Sequence, residues 1–360
     1  MKKTIAILAG DGIGQEIMPH ALNVLQAVSS KFNHIFTLKE GDIGGAAFEK
    51  HGIHFPQLTQ DLCQSSDAIL LGAVGGPLQA AHLPKWQNCE KNSILALRKM
   101  LQLAANLRPV RIYPELTTCC PLKDEVIKAG VDILIIRELV GDIYFGEHKQ
   151  WQQNGKRYAQ DVAEYDEQQI STVAHRGFQL AQQRRKKLVS VDKANVLDTS
   201  RLWRTVVSEI ASAYSDVKLE HMLVDNCAMQ LIINPTQFDV ILTANLFGDI
   251  LSDAAAALVG TLGLMPSASM NASGFGLYEP PGGSAPDIAH QDIANPIAQI
   301  LSVAMMLRHS FNLEQEAHAV EIAVKRALQA GYRTKDIYTA GTQLVGTKAM
   351  GKVIVDYVAR

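Results

Sequence analysis

Short, continuous apolar runs recur along the chain and close on polar or turn-forming residues. They are TIAIL (4–8), AILLGAV (68–74), VDILIIRE (131–138), KLVSVDKA (187–194), MLVDN (222–226) and FDVILTAN (238–245). Hydrophobicity that is continuous rather than alternating marks strands covered on both faces. Helix-like segments lie between most of the runs, for example AVEIAVKRALQAG (319–331), whose stop is placed at Gly331. Strands alternating with amphipathic helices give an α/β protein with a central, mainly parallel sheet.

Polar residues collect where these runs end: Arg137 and Glu138, Asp192 and Lys193, Asp225 and Asn226, and Asn245. In open α/β sheets ligands bind outside the carboxyl ends of the strands, so a site is expected there. The polar stretch HKQWQQNGKRYAQD (148–161) reads as a loop or an exposed hairpin arm.

Composition narrows the function classes. The 360 residues are 47% hydrophobic and 19% charged, with a formal net charge of −2. RRKK at 184–187 is too short to make a nucleic-acid or membrane footprint and reads as a solvated helix end. No apolar run approaches the roughly 20 residues of a membrane helix. MKKTIAILAGDGIG reads as a first buried strand rather than a signal peptide, since acid and glycine interrupt it early. Five cysteines without a C-x-x-C pair fit reduced thiols, and a cytoplasmic protein is expected.

Several constellations could carry chemistry. GDGIG (10–14) follows the first strand, but its G-x-G-x-G spacing departs from the G-x-G-x-x-G dinucleotide fingerprint. A tight strand-to-helix turn fits better than a standard Rossmann site. EPPGGSAPDIAH (279–290) would let a ligand approach backbone N–H groups closely, or be a plain loop, and its Asp287 could accept ribose hydroxyls. Arg98, Arg108 and Arg137 are either ordinary ion pairs or, around one pocket, forks for a substrate with two carboxylates.

In NLFGDILSD (245–253), Asp249 and Asp253 are four residues apart, on one face if the segment is helical, so they repel unless a positive charge lies between them. With Asp225 they would offer hard oxygen ligands to Mg²⁺ or Mn²⁺, whereas the scattered histidines make zinc less apt. Lys193 is a solvated charge or, if desolvated, a general base. Tyr144 is a core tyrosine or a proton donor.

Taken together, GDGIG, LRK and NLRP around Arg98 and Arg108, REL and IYFGE around Arg137 and Tyr144, DKANVL around Lys193, NLFGDILSD with TLGLMPSASM, and GGSAPDIA followed by IANP stand in an order that resembles one family. It is the β-decarboxylating dehydrogenases of (2R)-hydroxy acids, the isocitrate and isopropylmalate dehydrogenases, and the likeness spans nearly the whole chain. The resemblance implies a two-domain fold that is not a standard Rossmann domain. Residues 1–103 and 260–360 would bind the cofactor, and residues 104–259 would bind substrate and metal and dimerise.

It further implies that Arg98, Arg108 and Arg137 clamp the substrate carboxylates, and that Asp225, Asp249 and Asp253 hold Mg²⁺ or Mn²⁺, with Asp225 also lining the substrate site. Lys193 would act as base and Tyr144 as proton donor, in a homodimer whose partner supplies Lys193 and Asp225. NAD would lie along Gly283, Ser284, Ala285, Pro286, Asp287, Ile288 and Asn295, with Glu90 near the nicotinamide. Asp287 stands where NADP-using relatives carry lysine, which favours NAD.

Ile94 and Leu95, one turn before Arg98, suit an isopropyl group, so the implied substrate is 3-isopropylmalate, of leucine biosynthesis. The alternatives are D-malate or tartrate oxidation and a catalytically idle protein on the same fold. Three departures stand out. Gly282 replaces a common histidine, Val140 replaces threonine, and Asp142 replaces glycine, adding negative charge close to an anionic substrate.

Overall fold

A computed structural model describes residues 1–360. The chain divides into two compact units. The first comprises Met1–Leu101, Tyr113–Pro121 and Val259–Arg360, and the second Gln102–Ile112 and Leu122–Leu258. Apart from a pair of two-residue strands, Tyr332–Arg333 and Gln343–Leu344, the strands in chain order are β1 Lys2–Gly10, β2 Ile35–Glu40, β3 Ala68–Ala73, β4 Ala105–Arg111, β5 Asp132–Glu138, β6 His148–Gln153, β7 Lys156–Asp161, β8 Lys187–Asp192, β9 Lys218–Leu223, β10 Val240–Thr243, β11 Ser267–Met270 and β12 Gly276–Glu279.

In the first unit the strand order is β2-β1-β3-β12-β11, parallel throughout except for the β11–β12 pair. All six residues of β3 are buried, which is why AILLGA shows no polar alternation. The helices Gly14–Phe32, Ile297–His309 and Glu314–Gln329 belong to this unit, and Gly331, at φ 86°, follows the last of them.

In the second unit the order is β4-β5-β10-β8-β9, with β4 antiparallel to β5 and the other pairs parallel. Ile133, Ile135 and Ile136 of β5 are fully buried. Residues 148–161 form a hairpin, β6 against β7, turned by Asn154 and Gly155 at φ 51° and 71°. Two successive left-handed residues make the type I′ turn that matches strand twist. Every residue of the hairpin is exposed, and Trp151 stacks on its cross-strand partner Tyr158.

One expectation needs correction. MLVDN does not end a strand at Asp225: β9 closes at Leu223 and a helix begins at Val224 and runs to Ile233. Asp225 therefore sits in a first helical turn, where a carboxylate is favoured by the helix dipole. All five cysteines are free thiols, and burial pushes those of Cys63, Cys89 and Cys227 up to about 12. No helix is long and apolar enough to cross a membrane.

Candidate active site

The second unit gathers charge at the carboxyl ends of its central strands. Arg137 lies opposite Asn106 in the β4–β5 ladder, and Arg108 is two residues beyond Asn106, so both arginines project from one face of the sheet. β10 pairs alongside β5, and the helix Asn245–Val259 follows it directly, passing over Arg137. That passage requires Gly248: a Cβ there would lie 2.6 Å from Arg137 Cγ.

The helix turns Asp249 and Asp253 to the same side, and the positive charge between them is Arg108. Its Nη1 donates to Asp253 Oδ1 at 3.0 Å and its Nη2 to Asp249 Oδ1 at 3.5 Å. Arg137 also donates to Asp249 through Nη1. The two guanidiniums are oriented from behind, Arg108 Nε by Asn106 Oδ1 at 2.8 Å and Arg137 Nε by Asn245 Oδ1 at 2.9 Å. Arg108 Nη1 also reaches Ser252 Oγ at 2.7 Å. Both arginines are buried, at 5% and 4% exposure, while the Asp249 and Asp253 side chains remain 35% and 54% exposed.

Tyr144 enters from the loop after β5. Its hydroxyl donates to Asp249 Oδ2 at 2.8 Å, and the Arg137 guanidinium stands 5.4 Å from the ring centroid. Burial, reinforced by the Asp249 carboxylate, pushes the phenol above its ordinary range, so it holds its proton firmly. Burial also raises the carboxyl of Asp253, against the opposing pull of Arg108.

Lys193, after β8, pairs with Asp225, Nζ to Oδ1 at 2.6 Å. This bond holds the Asp225 carboxyl below its usual range. Within one chain the pair stands apart from Asp249 and Asp253, and no group of three or more metal-capable side chains forms. The two remaining carboxylates nevertheless fit a hard divalent cation, being part-exposed oxygen donors one helical turn apart.

The first unit contains Arg98, in the short helix Ala96–Met100, whose Nη2 donates to Glu279 Oε1 at 2.9 Å. Its Nε is buried without a hydrogen-bond partner. Ile94, 8% exposed, and Leu95 lie in a π-helical turn, Lys91–Leu95, which begins directly after Glu90. The GDGIG turn packs against GGSAP: Ile13 N–H donates to the Ser284 carbonyl at 2.8 Å, and a Cβ on Gly12 would lie 2.1 Å from that oxygen.

Nothing stands within 4 Å of a Cβ built on Gly283, and Asp287 is exposed, so backbone and a carboxylate of this loop are accessible. Ser284 is buried, and Asn295 is largely internal, its amide shared between the Ile297 N–H and Asp336. Asp11 of GDGIG, 3% exposed, accepts from the N–H groups of Gly45 and Ala46, in the first turn of the helix Gly44–His51, and of Gly75 in the loop after β3, and so joins two segments distant in sequence.

Asn106, Tyr165, Ser252 and Glu279, which support the candidate residues from behind, were not singled out from the sequence, and Glu138 was named only as a strand-end polar residue. Asp142, expected to add negative charge close to an anionic substrate, turns its carboxylate inward. This residue is 9% exposed, and both carboxylate oxygens accept backbone N–H groups, Ile143 at 2.8 Å and Leu246 at 3.0 Å. Its charge is directed at a helix N-terminus.

Comparison with known proteins gives the family of the chain. The family model described as isocitrate/isopropylmalate dehydrogenase matches residues 4–354. The 3-isopropylmalate dehydrogenase of Clostridium acetobutylicum is 51% identical over 98% of both chains. That of Helicobacter hepaticus is 49% identical over 99% of this chain and 100% of its own. Among solved structures, isocitrate dehydrogenase from Methylococcus capsulatus superposes with a TM-score of 0.87 at 32% identity, covering 99% of this chain and 100% of the other. The TT0538 protein of Thermus thermophilus gives 0.87 at 29% identity, covering 100% of this chain and 68% of the other. The chain belongs to the isocitrate/isopropylmalate dehydrogenase family.

Proposed function

We propose that the protein catalyses NAD-dependent oxidative decarboxylation of (2R,3S)-3-isopropylmalate to 4-methyl-2-oxopentanoate and CO₂, a step of leucine biosynthesis. The observation that carries this reading is near-complete alignment, at 49–51% identity, with proteins named for that activity. The cluster of Arg108, Arg137, Tyr144, Asp249 and Asp253 supports it chemically. Two buried guanidiniums and two carboxylates form a charge-balanced set, and a dicarboxylate entering together with a divalent cation adds no net charge.

In this reading Arg98, Arg108 and Arg137 bind the substrate carboxylates, Ile94 and Leu95 form an apolar wall for the isopropyl group, and Asp287 orients ribose hydroxyls. When bound, a cation held by Asp249 and Asp253 with Asp225 would supply positive charge at the substrate's oxygens, and NAD would accept the hydride. Lys193 takes the hydroxyl proton, and Tyr144 holds a proton at Oη for the carbon that CO₂ leaves. Residues 1–103 and 260–360 serve the cofactor, with Glu90, Gly283 to Ile288 and Asn295 along it. Residues 104–259 serve substrate, metal and dimerisation.

The active unit is a homodimer in which the partner's Lys193 and Asp225 complete each site. Exposed Met229, Ile232 and Ile233 on the Asp225 helix, with Ile250 on the Asp249 helix, support such an interface. The test is NADH formation with racemic 3-isopropylmalate, D-malate and isocitrate, each with Mg²⁺ and with chelator. The expected result is a metal-dependent signal with a specificity constant for isopropylmalate at least about tenfold above that for D-malate. Comparable constants would refute the substrate, and silence with all three would refute the activity.

A further inference from the structure

The Asn245–Val259 helix carries Asp249, yet the residue before it, Ala244, has no side-chain oxygen with which to cap the first N–H groups. Those donors are met from other elements. The Asn245 N–H donates to the Tyr165 hydroxyl at 2.9 Å, and the Leu246 N–H to Asp142 Oδ2 at 3.0 Å.

Asp142 is equally central to its own loop. Its N–H donates to the Glu164 carbonyl at 3.0 Å, and its carbonyl accepts from Phe145 at 3.1 Å and Gly146 at 3.2 Å, the turn that contains Tyr144. Its φ of 68° lies in the left-handed region, which aspartate tolerates better than most residues and glycine adopts freely. The loop thus meets the helix at three successive points: the Gly141 carbonyl on Asn245 Nδ2 at 3.1 Å, Asp142 on Leu246, and Tyr144 on Asp249 at 2.8 Å.

We propose that Asp142 is a positioning residue: by accepting the Leu246 N–H it tethers the Tyr144 loop to the helix that bears Asp249, and so sets where the Tyr144 hydroxyl stands. A glycine at this position keeps the backbone conformation and removes the tether. The consequence for turnover rests on the proton-donor role assigned to Tyr144 above, in which the phenol gives its proton to carbon and regains one from solvent. The tether itself does not depend on that role.

Three variants and two readouts test it. In Asp142→Gly, amide hydrogen exchange accelerates at Leu246 and through residues 140–147, kcat falls about tenfold with KM nearly unchanged, and the solvent deuterium isotope effect on kcat rises. Asp142→Asn, which tolerates positive φ and whose single amide oxygen can accept the Leu246 N–H while giving up the Ile143 N–H, restores slow exchange at Leu246 and part of kcat. Tyr144→Phe loses turnover while leaving exchange at Leu246 as in the unaltered chain. A mere loss of folded protein would lower kcat without changing the isotope effect.

The proposal is overturned if Asp142→Gly exchanges and turns over like the unaltered chain, or if Asp142→Asn behaves as Asp142→Gly. Exchange is measured without substrate, so inactivity of the unaltered chain on isopropylmalate would count against the assigned reaction alone.

Discussion

Glu138 directly follows a proposed substrate arginine yet is completely buried, and replacing it by glutamine should reshape the pH dependence of stability. Its carboxyl accepts from Val140 N–H at 2.7 Å, from Gly141 N–H at 3.0 Å and from the Tyr165 hydroxyl at 2.8 Å. These bonds favour the ionised form, but desolvation outweighs them and pushes the group from its ordinary value of 4.5 up to about 7. The folded chain therefore keeps a proton that the unfolded chain releases.

The resulting contribution to stability is fully present below pH 4.5 and is lost as pH rises to about 7. At about 1.4 kcal/mol per pKa unit, the loss across that window is roughly 3 kcal/mol. Glu138→Gln cannot ionise and lacks this component. Urea denaturation of both proteins at several pH values isolates it, because the other titrating groups are common to the two. The stability of the variant relative to the parent should climb by roughly 3 kcal/mol between pH 4.5 and 7.5 and then level off. A difference that is flat with pH, or that falls, would refute the argument from desolvation.

Gly12→Ala should destabilise the protein by roughly 1–3 kcal/mol and weaken NAD binding, because the new Cβ meets the Ser284 carbonyl at φ +53°; thermal melts and NAD titration check both, and an unchanged melt would contradict the close approach. Lys193→Ala should retain NAD affinity and lose turnover by about two orders of magnitude or more. Full activity in that variant would remove Lys193 from the role of base.

Much of the fold was legible because its causes are local. AILLGAV and VDILIIRE announced strands covered on both faces, Asn154-Gly155 supplied the left-handed pair a hairpin turn needs, and four-residue spacing put Asp249 and Asp253 on one helix face. Supporting groups were hidden for the opposite reason. Tyr165, Glu138 and Glu279 each act through a partner brought near by a loop or strand from elsewhere in the chain, and Asn106, although only two residues from Arg108, shares a face with it only because the segment is a strand.

Asp225 shows how a strand and a first helical turn share one apolar spelling, since MLVDN satisfies either until β8 fixes where β9 ends. Asp142 shows the same limit for charge. The sequence determined that a carboxylate stands two residues before Tyr144, and, through hydrophobic continuity and spacing, which strands and helices form and which chemistries the chain can attempt. Only the tertiary structure decided that this carboxylate turns inward onto a helix N-terminus and that Arg108 is the cation between Asp249 and Asp253. Hydrogen bonds and charge pairs act over a few ångströms, and which residues come that close is set by the packing of segments more than a hundred positions apart.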